Sequence, residues 1–242
     1  MTHTDIDIDT DEDTEEKDDM TLDSTWARRF VERAADTVSE NRSALVELDR
    51  EIGDGDHGEN LERGFSAVRA KLAAQPDDAT PGALLKMVAT TLISTVGGAS
   101  GPLLGTAFLK GAGALGDATE IDSAGVAAFV AAARDGAVLR GKAEVGDKTM
   151  VDAWTPATDA AKAAADGGSD PAAVLRAAAD AAAAGAESTE PLVARKGRAS
   201  YLGERAVGHR DPGAQSSALI LAAAADAADD VAAATTTTSG EA

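Results

Sequence analysis

The chain combines abundant alanine with few aromatic residues, which make up 3% of its 242 residues. Alanine favours helices, and small side chains let neighbouring helices pack closely. Apolar residues recur at helical spacing in eight segments, and no segment is a convincing strand. We therefore predict an all-α fold of eight helices with antiparallel neighbours. The first predicted helix covers residues 24–42, with Ser24 as N-cap. The others cover 56–74, 81–97, 99 to a glycine cluster at 111–116, 171–187 and 213–233, with two more beginning near 122 and 147.

The formal net charge of −20 narrows the classes of partner, because so acidic a protein repels nucleic acid. Residues 1–23 carry eleven acidic residues against Lys17, and we predict a disordered acidic tail there. Residues 24–234 are predicted to form one domain, followed by a frayed C-terminus at 235–242. Fourteen arginines stand against eight lysines. An acidic, lysine-poor surface suits a salt-rich cytoplasm, so we hypothesise a halophilic setting.

Absent features exclude further classes. The chain has no cysteine, which rules out disulfides and thiolate metal sites. No apolar run is long enough to span a membrane, and the N-terminus lacks a basic or apolar signal segment. We expect a soluble, cytoplasmic protein with no membrane partner.

Three aspartates, Asp49, Asp54 and Asp56, crowd into a glycine-bearing connection that ends at Gly58. Held close together, their carboxylates repel unless a hard cation neutralises them, and oxygen-only ligation suits Mg²⁺ or Ca²⁺. A solvated acidic turn remains the alternative. The spacing from Gly53 to Gly58 matches G-x-G-x-x-G, but it follows a helix rather than the strand that a dinucleotide fingerprint requires.

A second glycine-bearing connection, residues 97–101, leads into a predicted helix. Its small residues leave the first-turn N–H groups free, and the helix dipole favours an anion such as phosphate there. Ser100 adds a hydroxyl donor, although a flexible helix–helix turn would look the same. Carboxylates that hold Mg²⁺ beside a phosphate-binding helix start would form one site, because Mg²⁺ commonly bridges carboxylates to phosphates. Two more such connections cover residues 140–148 and 195–213.

Four motifs in order along the chain resemble the DhaL family, the nucleotide-binding L subunits of dihydroxyacetone kinases. They are LDREIGDGDHG at 48–58, GGASGPL at 97–103, GDKTMVD at 146–152 and GRASYLGER at 197–205, followed by His209 and the segment DPGA at 211–214. The resemblance covers residues 24–234. It implies an eight-helix antiparallel up-and-down barrel with the nucleotide and metal site at one end.

The resemblance also implies the ligands of the site. Asp49, Asp54 and Asp56 would bind two Mg²⁺, and Ala99 and Ser100 would contact the phosphates of ADP or ATP. The remaining nucleotide-binding positions would be His57, Gly58, Glu59, Asn60, Gly141, Met150, Arg198, Asp211, Pro212 and Gly213. The Glu59 carboxylate would have to point away from the phosphates. No catalytic residue is implied beyond this metal and phosphate site.

In the family, the sugar site with its covalent histidine belongs to a separate K subunit, so this chain would be half of a kinase. ADP would be rephosphorylated by a phosphohistidine M-type protein of the phosphoenolpyruvate-dependent phosphotransferase system (PTS). The alternatives are an ATP-dependent split dihydroxyacetone kinase, a non-catalytic nucleotide-binding regulatory module, and the ATP domain of a fatty-acid kinase. A homodimer is also left open.

Overall fold

The computed structural model describes residues 20–239, and within this range it contains eight α-helices, one 3-10 segment and no β-strand. The helices are α1 (Ser24–Ile52), α2 (His57–Leu72), α3 (Pro81–Thr95), α4 (Ser100–Leu115), α5 (Ser123–Gly141), α6 (Val151–Asp166), α7 (Pro171–Glu187) and α8 (Pro212–Ser239), and the 3-10 segment is Arg198–Ala206. None of the helices in the described range is long and apolar enough to cross a membrane.

Each helix packs against the next one in sequence, and α8 packs against α1. This contact closes the ring, so the predicted antiparallel up-and-down barrel of eight helices is confirmed. Small side chains permit the close contacts. A Cβ on Gly185 of α7, for example, would lie 2.3 Å from the backbone oxygen of Asp152 in α6.

The odd-numbered helices all begin with a side-chain cap. Thr80, Asp122 and Asp170 each accept the backbone N–H three residues ahead. The predicted cap of α1 was Ser24, and this prediction is wrong. Asp23 is the N-cap, and its carboxylate accepts the N–H groups of Thr25 at 2.7 Å and Trp26 at 3.3 Å.

The aromatic side chains cluster near the start of α1. Trp26 lies 5.6 Å from Phe30 and 6.4 Å from Phe129, measured between ring centroids, and Phe30 lies 6.0 Å from Phe108. Trp26 is 23 residues before Asp49 in one helix, which separates them by about 34 Å along the axis. The aromatic cluster therefore supports the end of the barrel opposite the aspartates.

Several boundaries differ from the prediction. The first helix continues ten residues beyond 42, because Leu45, Asp49 and Ile52 extend its buried face. Buried Leu22 pairs with Ile121, so packed structure begins just before Ser24. The last helix reaches Ser239 rather than ending near 233. Residues 1–19 of the predicted acidic tail lie outside the described part of the chain. Positions 240–242 of the predicted frayed C-terminus lie outside it as well.

Candidate nucleotide and metal site

Alternating helix directions bring four connections to one end of the barrel: α1–α2, α3–α4, α5–α6 and α7–α8. A cavity of about 520 Å³ lies there. Twelve of the fifteen predicted site residues line it. They are Asp49, Asp54, Asp56, His57, Ala99, Ser100, Gly141, Met150, Arg198, Asp211, Pro212 and Gly213.

The other three predicted residues lie in the first turn of α2, behind the cavity wall. Glu59 faces outward and pairs with Arg42 at 3.1 Å, as the charge argument required. Gly58 packs against the Arg42 backbone, where a Cβ would lie 2.2 Å from the carbonyl oxygen. Asn60 is buried, and its side-chain oxygen accepts a hydrogen bond from Arg63 at 2.5 Å. The structure therefore brings neither Gly58 nor the side chains of Glu59 and Asn60 to the cavity.

The three aspartates meet at the α1–α2 connection. One carboxylate oxygen from each of Asp49, Asp54 and Asp56 lies within 4.8 Å of the others. Asp49 is buried in the last turn of α1, and its Oδ2 accepts the N–H groups of Asp56 at 2.9 Å and His57 at 3.2 Å. These two bonds close the connection around the Asp49 carboxylate. The cluster offers only oxygen donors, which fits a hard divalent cation.

Gly53, which follows α1, makes this arrangement possible. A Cβ at this position would lie 2.1 Å from Oδ1 of Asp49 and 2.9 Å from its backbone oxygen. Any larger residue would push the carboxylate away from the other two. The glycine is therefore required by the close approach of the Asp49 side chain.

Cationic side chains stand beside the acidic cluster. Nη1 of Arg198 lies 2.6 Å from Oδ2 of Asp54, and Arg140 and Lys196 also line the cavity. Arg198 belongs to the 3-10 segment between α7 and α8, and Asp54 lies between α1 and α2, so the ion pair joins these two loops. If a cation bound to the carboxylates also held an anion such as phosphate, the nearby Arg198 guanidinium would be able to bind that anion.

The N-terminus of α4 faces the same cavity through Ala99 and Ser100. Ala99 is its N-cap, and no side chain caps this helix, in contrast to α1, α3, α5 and α7 at the opposite end. Uncapped N–H groups and the positive end of the helix dipole together favour an anion. The geometry supports the predicted phosphate contact at these two residues.

Apolar groups form another part of the wall. Buried Met150 lies beside Gly213, whose Cβ position is 3.8 Å from that of Met150. Gly141 approaches Leu103, with 3.0 Å between a Cβ position and Cδ2. Both Leu103 and Pro212 line the cavity. Such a surface suits a flat apolar ring such as a nucleobase.

Half-buried Asp211 and buried His57 both line the cavity and have shifted pKa values. Burial raises the pKa of Asp211 to about 7, with help from the charges of Asp152 and Asp49 and against the Ala214 N–H and the Lys148 charge. Burial lowers the pKa of His57, and the charges of Asp49 and Asp56 oppose that shift. Asp211 caps α8 through the Ala214 N–H at 2.7 Å.

His57 is held by α8 across the cavity wall. Its Nε2 lies 2.9 Å from the hydroxyl oxygen of Ser216 in α8. The imidazole ring therefore connects α2 to α8 and also lines the cavity. His57 can stabilise the α1–α2 connection and contact a ligand from the same position.

The sequence analysis gave no role to two buried residues here, Lys148 of the α5–α6 connection and Asp152 in the first turn of α6. Lys148 was predicted to begin a helix, but α6 begins at Val151, and Lys148 has a left-handed backbone with φ of 63°. Asp152 accepts the N–H groups of Gly146 at 2.5 Å and Thr149 at 2.8 Å. Lys148 and Asp152 both lie within the motif GDKTMVD, which was a usable signal, but their burial depends on packing that sequence spacing does not reveal.

Comparisons with known proteins agree with this geometry. A DAK2 domain matches residues 51–226. The chain is 44% identical over 197 residues to the ADP-binding subunit DhaL of phosphoenolpyruvate (PEP)-dependent dihydroxyacetone kinase from Escherichia coli, covering 81% of this chain and 93% of the relative. It is 43% identical over 201 residues to the corresponding subunit of kinase 1 from Listeria innocua, covering 83% and 94%.

A solved structure shares the fold. The dihydroxyacetone kinase from C. freundii, in complex with AMP-PNP and Mg²⁺, superposes with a TM-score of 0.64 at 26% identity. The match covers 93% of this chain but 38% of that longer one. From the matched domain and the two relatives of nearly equal length, the chain belongs to the DAK2 domain family, among the DhaL subunits of dihydroxyacetone kinase.

Proposed function

We propose that this chain is the nucleotide-binding subunit of a dihydroxyacetone kinase, transferring a phosphoryl group to dihydroxyacetone held on a separate K subunit. One observation carries the proposal: three close carboxylates, an uncapped helix N-terminus and an arginine share one cavity. The E. coli and L. innocua relatives are ADP-binding subunits, and the C. freundii kinase structure contains AMP-PNP and Mg²⁺. Both facts support a nucleotide and a metal in this cavity.

Asp49, Asp54 and Asp56 would hold two Mg²⁺. Oδ2 of Asp49 already accepts two backbone N–H groups, which leaves Oδ1 for a cation. The fold holds three carboxylates within 4.8 Å of one another, where their negative charges repel, and a bound divalent cation would reduce that repulsion.

The nucleotide would lie between the α4 N-terminus and the apolar wall. Ala99, Ser100 and Arg198 would bind the phosphates, because they offer N–H, hydroxyl and guanidinium donors. The base and ribose would contact Gly141, Met150 and the segment 211–213. Of residues 57–60, only His57 reaches the cavity by its side chain.

Phosphoryl transfer requires little covalent catalysis by the protein, because alignment of the reactants and stabilisation of charge provide most of the rate enhancement. The Mg²⁺-bound nucleotide, when present, supplies the transferable phosphoryl group with its charge neutralised. Arg198 and the α4 N-terminus would orient that group toward the cavity mouth and stabilise its negative charge. The protein would act in the cytoplasm, and dihydroxyacetone would be bound by the K subunit.

The phosphoryl donor separates two versions of this function. Because the relatives of equal length are PEP-dependent, we propose that ADP stays bound and is rephosphorylated by a phosphohistidine protein of the PTS. The full chain would then retain stoichiometric ADP through gel filtration. Rapid exchange of ADP, with product formed from ATP and a K-type partner alone, would instead establish the ATP-dependent split enzyme. Formation of no product with either donor would leave a regulatory module.

Asp54→Asn tests the metal assignment, because it keeps the shape of the side chain and removes its charge. We expect Mg²⁺-dependent ADP retention to be lost while the helix content seen by circular dichroism is unchanged. Asp166→Asn is the matched control, since Asp166 is exposed and pairs with Lys162 at the end of α6. Unchanged ADP affinity in Asp54→Asn would contradict the proposed site.

A further inference from the structure

Lys148 is a buried lysine to which the proposed phosphoryl transfer assigns no role. It is 1% exposed, and it is the only buried lysine or arginine among residues 20–234. Its Nζ lies 2.5 Å from the backbone oxygen of Thr189, 2.5 Å from that of His209 and 3.3 Å from that of Glu190. Three acceptors match the three N–H donors of an ammonium group.

The backbone of Lys148 shows that this position is held by its surroundings. Its φ of 63° lies in the left-handed region, which costs a residue with a Cβ conformational energy. A charged side chain and a strained backbone persist at a buried position only where neighbouring contacts compensate. The three carbonyl contacts are the compensation that the structure offers.

The three carbonyls belong to the two ends of one segment, residues 189–209, which we call the basic loop. Thr189 and Glu190 follow α7, and His209 precedes α8. The Gly208 N–H donates to the Glu190 oxygen at 2.8 Å, which closes the base of the loop. The loop carries Arg198, whose guanidinium reaches Asp54. Lys148, which lies between α5 and α6, therefore holds both ends of the basic loop that carries Arg198.

A second contact joins the same two segments. The Arg195 N–H donates to the Asp147 backbone oxygen at 3.0 Å, one residue before Lys148 in sequence. The base of the basic loop also continues directly into the segment 211–213 that lines the cavity. Displacement of the base would move Arg198 and this segment together.

We propose that Lys148 is a positioning residue, whose ammonium group fixes the basic loop and the segment 211–213 against the cavity. The inference rests on the proposed function for its effect on nucleotide binding. Its effect on the loop itself does not depend on any ligand. Loss of the ammonium would leave the His209 carbonyl at the loop base without its donor and would remove one of two donors from the Thr189 and Glu190 carbonyls, which also accept the N–H groups of Leu192 and Gly208. An unsatisfied buried carbonyl is a larger penalty than the loss of an exposed ion pair.

The absence of native cysteine allows a test that separates the ammonium charge from side-chain bulk. Lys148→Cys is alkylated while unfolded and then refolded, either with an aminoethyl group, which restores an ammonium at lysine length, or with a propyl group of equal length and no charge. Lys162→Cys, treated in the same way, is the control, since the Lys162 side chain is 71% exposed. ADP affinity with Mg²⁺ and the rate of tryptic cleavage after Lys196 and Arg198 are measured.

We expect the propyl form at position 148 to bind ADP about tenfold more weakly and to be cleaved about tenfold faster than wild type. The aminoethyl form should return to wild-type values, and both control forms should match wild type. Equal behaviour of the two forms at position 148, in both measurements, would overturn the proposal. If even wild type fails to bind ADP, the proposed function fails, whereas the cleavage rates still decide whether Lys148 holds the loop.

Refolding of the position 148 variants is not essential to the test. Hydrogen exchange on the wild-type chain measures the same property, and the Arg195 and Gly208 amides should be as protected as core amides of α7. Exchange of these two amides at the rate of an unstructured peptide would also overturn the proposal.

Discussion

Arg198 and Asp54 form an ion pair between the proposed metal ligands and the proposed phosphate contacts of the cavity. Their side chains are 63% and 36% exposed, so the pair itself contributes at most about 1 kcal/mol. Metal binding has to compete with the guanidinium for Asp54. A phosphate, by contrast, would gain a charged hydrogen bond from Arg198, which contributes about 1.5–3 kcal/mol. The two ligands should therefore respond in opposite directions when the arginine is removed.

We expect Arg198→Met to raise Mn²⁺ affinity in the absence of nucleotide by up to about fivefold, and to weaken ADP binding by about tenfold or more. Mn²⁺ is followed by electron paramagnetic resonance and ADP by calorimetry. Arg205→Met is the matched control, since Arg205 lies in the same 3-10 segment but does not line the cavity. Parallel loss of both affinities in Arg198→Met would contradict this competition.

Asp211 should make the stability of the ligand-free protein depend on pH. Burial raises its folded pKa from 3.8 to about 7, so the folded state binds a proton that the unfolded state releases. The stabilisation is complete below pH 3.8 and disappears as the pH rises through 7. The slope is at most about 1.4 kcal/mol per pH unit, and partial exposure of Asp211 reduces it.

Asp211→Asn keeps a capping side chain and removes the titration. Between pH 5 and pH 7, wild type should lose up to about 2 kcal/mol of unfolding free energy relative to this variant, and above pH 8 the difference should be constant. His57, whose pKa is lowered, acts in the opposite sense in both proteins and cancels in the comparison. Parallel pH profiles in denaturant titrations would show that Asp211 titrates normally.

At the scale of elements, close helix contacts rather than large side chains set the packing. Gly185→Ala should destabilise the protein by about 1–3 kcal/mol, because its Cβ would meet rigid backbone of α6. Gly113→Ala in α4 is the control of opposite sign. No atom lies within 4 Å of its Cβ position, so alanine should add about 0.5–1 kcal/mol of helix stability. Equal effects in chemical denaturation would contradict packing as the cause.

Local signals predicted helix beginnings better than helix ends. Proline next to a capping residue marked α3 and α7 correctly, because the capping bond is formed within four residues. The end of α1 was predicted ten residues too early, because packing against α2 and α8 continues the helix beyond residue 42. The start of α6 was placed too early for the same reason. The left-handed turn at Lys148 is imposed by contacts with residues 189–209, which are distant in sequence.

Sequence patterns predicted the residues that line the cavity more fully than the long-range contacts that hold those residues in place. The aspartate cluster and the glycine-bearing helix start are local patterns with a local chemical meaning, and both lie at the cavity. The arrangement of Arg198 against Asp54 joins residues 144 positions apart, and no spacing rule could reveal it. The motif resemblance also placed residues 57–60, in the first turn of α2, at the nucleotide. The Glu59 and Asn60 side chains instead contact Arg42 and Arg63, and Gly58 packs against the backbone of α1.

At the scale of the whole molecule, an even number of alternating helices in a closed ring explains why the site can exist. Each odd-to-even connection reaches the same end, so carboxylates, a helix N-terminus and basic side chains from four distant segments meet there. The opposite end carries side-chain caps and the aromatic cluster. The capping bonds and aromatic contacts therefore stabilise one end of the barrel, and the proposed binding site lies at the other.

The net charge of −20 should make stability depend on ionic strength. Repulsion between acidic groups is screened once the Debye length falls below their spacing, from about 10 Å at 0.1 M salt to about 3 Å at 1 M. We expect the melting temperature to rise steeply up to 0.5 M KCl and little beyond, by about 2–4 °C for each kcal/mol of repulsion relieved.

A chain lacking residues 1–19 provides the control for this screening, because that segment carries ten acidic residues and one lysine. Its melting temperature should rise less with KCl if total charge governs the response, and equally if only the charges of the barrel matter. A melting temperature that is independent of KCl in both proteins would refute adaptation to a salt-rich environment. A rise that continues linearly to 3 M would indicate preferential exclusion of salt from the surface instead of charge screening.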